Sequence, residues 1–166
     1  MNSQWFGDSF DIVKRFFVEN LNAIGYRVVV DPMLTGEWNG VEHDFYKLLK
    51  AYPLNEKSIS KSALLLDPDT GIGRKRSKQH VTIKCIADQL LNHDVVFSFD
   101  QSFPRGRNAR DKIIEKLKLL QETGNHGFYY DSHARFLFAA KSIKVLGEVE
   151  KQLLKSRLPA SRLVKA

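Results

Sequence analysis

Aspartates stand at or just past the ends of three apolar runs: Asp31 after Tyr26–Val30, Asp67 and Asp69 after Ala63–Leu66, and Asp100 after Val95–Phe99. A carboxylate can orient an amine, accept a proton or hold a hard cation, so what matters is where these groups meet. If the runs are parallel strands of an α/β sheet, their C-terminal ends share one edge and deliver the acids to the crevice where such folds bind ligands. Two of the loops then turn basic. Arg74, Lys75, Arg76 and Lys78 follow Asp69, while Arg105, Arg107 and Arg110 follow Asp100. Cations around an acidic centre suit a polyanion approaching from outside, and these Arg and Lys residues are the expected nucleic-acid contacts.

The elements that must position these groups follow from periodicity. Asp8 or Ser9 caps a helix to about Ile24, with Ile12, Val13, Phe16, Phe17, Asn20, Leu21 and Ile24 on one face and Gly25 after it. Tyr26–Val30, Ala63–Leu66 and Val95–Phe99 are mostly apolar runs too short for helices, the pattern of strands covered on both faces. Helices are expected at about Val41–Ala51, Val81–Asn92, Ala109–Glu122 and Ser142–Lys155. Gly127–Tyr130 and Ala134–Ala140, separated by Asp131-Ser132-His133, read as a β-hairpin. The expected fold is α/β, a single Rossmann-like domain over 1–156 with a mostly parallel sheet, flanking helices and a C-terminal β-hairpin, followed by a basic tail at 157–166.

Composition agrees with this. A chain of 166 residues, 43% hydrophobic and 27% charged, can bury a core without disulfides or structural metal. Its 26 Lys and Arg against 19 Asp and Glu give a formal charge of +7, which favours nucleic acid or another anionic partner. Cys85 is the only cysteine and falls inside a candidate helix, so it reads as a small buried thiol. His80, His93, His126 and His133 are scattered over different elements, with His80 beside the basic loop. No stretch approaches the roughly 20 apolar residues of a membrane span, and the expected location is cytoplasmic.

Several short motifs carry a family resemblance. Gly7-Asp8-Ser9-Phe10-Asp11-Ile12-Val13-Lys14-Arg15 resembles the opening element of the Rossmann-like ribosomal RNA adenine N6-methyltransferases, with Asp11 and Lys14 in register. Val30-Asp31-Pro32-Met33-Leu34-Thr35-Gly36 resembles the strand and glycine loop that hold S-adenosylmethionine in that family, and Leu66-Asp67-Pro68-Asp69 stands at its Asp-Pro-Pro-Tyr position. The resemblance implies S-adenosylmethionine on Asp11, Lys14, Asp31, Thr35 and Gly36, and a target amine oriented by Asp67, Pro68 and Asp69. The sequence departs from the family where Asp69 replaces the second proline and Thr70 stands near the expected aromatic. A ring to stack on an extruded base would then have to come from Phe99, Phe103 or Trp38. The sequence leaves open whether methyl transfer is retained.

Two other readings stand beside it. Asp67, Asp69 and Asp100 could hold Mg2+ or a similar ion for a nuclease or phosphotransfer reaction, with the arginines on flanking phosphates. Alternatively the scaffold binds nucleic acid or a protein without catalysis. Against the last reading, a pure binder of polyanions has little use for carboxylates in its crevice, because each repels a phosphate.

Overall fold

The computed structural model describes residues 2–38, 40, 42–54, 61–77, 79–103 and 108–166. Lys78, Arg105 and Arg107 lie outside the described residues. Helix α1 (Ser9–Ala23) starts where the Asp8 carboxylate accepts the amides of Phe10 and Asp11. Strand β1 (Arg27–Asp31) follows after Gly25 at φ +87°, a backbone region that glycine enters without a Cβ penalty. Next come α2 (Glu42–Leu49), the two-residue β2 (Tyr52–Pro53) and β3 (Ser62–Leu66). The basic loop is bracketed by β4 (Gly71–Ile72) and β5 (His80–Val81), which pair with each other in parallel.

After these run α3 (Ile83–Gln89), β6 (Val95–Phe99), α4 (Ala109–Glu122), β7 (His126–Tyr130), β8 (Phe136–Ala140) and α5 (Ile143–Lys155). The third helix is therefore shorter than the expected Val81–Asn92. His80 and Val81 pair as a strand, and the Thr82 hydroxyl caps the helix by accepting the Cys85 amide.

The main sheet runs β2-β1-β3-β6-β8-β7, with β9 (Leu163–Val164) at its far edge. The first four strands are parallel; β8, β7 and β9 are added antiparallel, and β7–β8 form the expected hairpin. This is the expected α/β, Rossmann-like arrangement of a mostly parallel sheet with helices on both faces. Alternation along the strands divides the core. Val28, Val30, Leu65 and Phe97 face the layer under α1, α2 and α5, while Val29, Leu64, Leu66 and Val96 face the layer that includes Ile86 of α3 and Ile113, Leu117 and Leu120 of α4. Burial on both faces explains why these strands read as mostly apolar runs without alternation.

Residues 157–166 depart from the expected tail. Val164 is buried and pairs with Tyr129 on β7, so this segment supplies a strand to the sheet instead of standing apart from it. Two residues are too few to give a periodic signal, and only the unpaired edge of β7 shows why they settle there. Among the described residues, no helix is long and apolar enough to cross a membrane.

Candidate functional site

The register sets Asp31 opposite Leu66 and Leu66 opposite Ser98, so Asp31, Asp67 and Asp100 emerge along one edge of the sheet. Their side chains then take different directions. A crevice of about 440 Å³ opens at this edge, within the size range of small-molecule sites. Lys14, Asp67, Pro68, Asp69 and Thr70 line it together with Asp8. Phe10, Phe99 and Trp5 add aromatic surface, and Asn2, Gln4, Gln79 and Gln101 add amides. Phe10 and Phe99 meet edge to face with centroids 5.2 Å apart.

Beneath the crevice lies a buried ion cluster. Lys14 Nζ donates to Asp11 Oδ1 and to Asp67 Oδ2, both at 2.8 Å, and all three side chains are almost wholly buried. Burial alone would lower the Lys14 pKa, but the charges of Asp67 and Asp11, with their hydrogen bonds, overcome it and hold the pKa above the ordinary value. Lys14 is therefore a cation at neutral pH. One ammonium does not offset two carboxylates, so burial, with the like charge of Asp11 adding to it, raises the Asp67 pKa against the pull of Lys14. Asp11 lies behind this floor and also accepts the Gly7 amide at 2.8 Å. Such a floor can accept a hydrogen bond or a proton from a donor-bearing ligand, and with Asp8 and Asp69 beside it the lining repels phosphate.

Asp31, Thr35 and Gly36 do not line the crevice. Asp31 Oδ1 accepts the Met33 amide at 3.1 Å, a local turn. The Thr35 hydroxyl donates to Asp69 Oδ2 at 2.5 Å, which fixes one wall from outside. Gly36, at φ +76°, is covered by the chain's own Asn2, whose Oδ1 lies 3.3 Å from where a Cβ would be, and Asn2 pairs with Thr35 as a β-bridge. The glycine loop is thus covered by the N-terminal segment and offers no open cradle for S-adenosylmethionine. Asp11 and Lys14 are committed to the ion cluster. The residues present do not fit that cofactor in the expected position.

Asp100 likewise corrects the expectation of a metal site on Asp67, Asp69 and Asp100. It is fully buried; Oδ1 accepts Ile72 N, Ser102 N and the Ser102 hydroxyl, while Oδ2 accepts Lys116 Nζ at 2.5 Å and the Tyr129 hydroxyl at 2.8 Å. Asp67 faces an ammonium. Among the described residues, no group of three His, Cys, Asp or Glu side chains is placed to hold a metal ion.

This second cluster lies next to Phe99 and Gln101, the chain neighbours of Asp100 that line the crevice. Burial lowers the Lys116 pKa against the raising effect of Asp100, and burial with the Asp100 charge pushes the Tyr129 phenol well above its usual value. Gly71 sits directly on Asp100 at φ +109°; an added Cβ would lie 2.4 Å from Asp100 Oδ1 and 2.7 Å from Asp100 Cα. Gly71→Ala is therefore expected to lose more than about 1 kcal/mol from the backbone alone, with the clash added. Thermal denaturation beside a surface variant such as Lys151→Ala measures it, and an unchanged midpoint would contradict this packing.

Of the expected nucleic-acid contacts that are described, Arg74, Lys75, Arg76 and Arg110 are all exposed. Thr70 and Gln79, which line the crevice, are the two feet of the basic turn: Thr70 N and its hydroxyl both donate to Gln79 O, at 3.1 and 2.9 Å. Arg74 leans towards α4, 3.7 Å from Glu115, and Arg110 lies in the first turn of that helix. The rings expected from sequence separate clearly. Phe99 lines the crevice, Trp38 is buried against Phe45, and Phe103 lies under the cations of Lys116 and Arg135.

The sequence reading missed Trp5, Phe10, Gln79 and Gln101 as lining residues, and Lys116 and Tyr129 as partners of Asp100. Lys116 did leave a signal: it shares the inward stripe of Ile113, Leu117 and Leu120, where a lysine needs a buried partner. Comparison with protein-family models, with curated proteins and with solved structures finds no match, so the site is read from its own geometry.

Proposed function

We propose that the protein is nucleic-acid-directed, receiving one unstacked base in the crevice while the basic turn and the start of α4 hold phosphates outside it. The observation that carries this reading is the connection between the two parts: both feet of the Arg74–Arg76 turn line an aromatic crevice floored by carboxylates. The acidic floor disfavours a phosphate inside, and the basic turn favours it outside. A base has the complementary form, with planar faces for Phe10 and Phe99 and N–H donors for the acids and amides. Asp67 and Pro68 occupy the place that the methyltransferase resemblance gives to amine recognition, which supports the same ligand class. The reading is recognition of a base without methyl transfer, because Asn2 covers the loop at Asp31–Gly36.

Fluorescence anisotropy with a labelled single-stranded oligonucleotide at several salt concentrations tests the reading. The Arg74→Ala/Arg76→Ala variant is expected to bind more weakly and to flatten the salt dependence by roughly 0.7 in log–log slope for each phosphate no longer neutralised. Phe10→Leu is expected to weaken binding by about tenfold with the slope unchanged, because it removes a stacking face and no charge. Absence of salt-dependent binding by the wild-type protein, or full affinity in Phe10→Leu, would count against the proposal.

A further inference from the structure

We infer that Trp5 is a stacking platform for the base next to the one in the crevice, so that the protein holds two consecutive bases of a single strand. This rests on the base-receiving reading and specifies its ligand. Trp5 is 59% exposed and Phe6 beside it 40%, so two large rings stand next to each other at the surface. The indole is not on a loose end. It closes a 3-10 turn, Ser3–Trp5, in which the Asn2 side chain accepts Gln4 N and Asn2 O accepts Trp5 N, both at 3.1 Å.

That turn is tied to the body on several sides. Asn2 bridges to Thr35, the Ser3 hydroxyl donates to Glu37 O at 2.6 Å, and Asp8 N donates to Trp5 O at 3.2 Å. Phe6 packs edge to face on the buried Trp38, centroids 6.2 Å apart. The backbone that carries the exposed indole is thus held in place, and Trp5 lines the crevice. An aromatic face beside a base pocket accepts any neighbouring base, because every base has a π-face. The adjoining basic turn supplies the charge complement for the strand's phosphates. Paired bases in a duplex already have both faces covered, which selects a single strand.

Equilibrium dialysis at fixed salt compares a purine dinucleotide with the same molecule carrying an abasic second residue, so that charge is equal and only one ring differs. The wild-type protein is expected to bind the intact dinucleotide about tenfold more tightly than the abasic one. Trp5→Phe should keep most of that difference, and Trp5→Ala should lose it. Phe10→Leu should weaken both probes. Equal affinity for the two probes, or a full difference in Trp5→Ala, overturns the platform; if Phe10→Leu still weakens both, the crevice reading survives. Binding of neither probe overturns both.

Discussion

Lys14→Met is expected to destabilise the fold by about 3–5 kcal/mol at neutral pH, because it strands Asp11 and Asp67 beside each other in the interior without their shared cation. Against a typical total of about 5–15 kcal/mol this is a large fraction, measurable by urea denaturation. The pH dependence has a definite sign. Asp67 already has a folded-state pKa above its unfolded value, and loss of Lys14 raises it further. The folded variant then binds more protons than the unfolded chain, so its stability should rise as the pH falls from 7 towards the unfolded carboxylate range near 4.

In the wild-type protein the raised Lys14 pKa has its own consequence. Its stabilising contribution is full below the unfolded lysine value of about 10.4 and is lost as the pH rises through the folded value. A double variant, Lys14→Met/Asp67→Asn, should recover part of the neutral-pH loss, since one buried charge is gone. A loss in Lys14→Met below about 1 kcal/mol, with no pH dependence, would mean that the three groups do not form a closed ion cluster.

The second large effect is at Asp100. Asp100→Ala should lose about 3–5 kcal/mol, because Lys116 and the Tyr129 hydroxyl would both be left in the interior without their acceptor. Its local signature separates it from general destabilisation. The amides of Ile72 and Ser102, which Asp100 accepts, should lose hydrogen-exchange protection before those of β1. The same two loops carry Thr70 and Gln101 into the crevice, so oligonucleotide binding should fall with that protection. Retained protection at Ile72 in Asp100→Ala would rule out this role for the carboxylate.

The parts legible in the sequence are those fixed by local pattern. Val28–Val30, Leu64–Leu66 and, apart from Ser98, Val95–Phe99 are apolar on both faces of the sheet and too short for helices, so their strand character is one-dimensional information. The Asp8 cap and the inward stripe of α4 are equally local. The strands β2 and β9 were not legible because each is two residues long and owes its form to a neighbour's open edge. The closing of the Asp31–Gly36 loop by Asn2 was hidden for a related reason: that bridge joins segments whose approach no periodicity records.

By itself, the sequence determined the sheet class, the hairpin, and the emergence of Asp31, Asp67 and Asp100 at strand ends, because run length marks the strands and the helices between them imply a parallel direction. Only the tertiary structure decided which of those acids borders the crevice. Lys14 reaches Asp67 across 53 positions, and Lys116 reaches Asp100 from the opposite layer of helices. The direction of a strand-end carboxylate is set by the cation packed against it, and that partner is chosen by how the helices lie on the sheet. Asp67 and Asp69 therefore border the crevice, while Asp100, at an equivalent strand end, is drawn into the core.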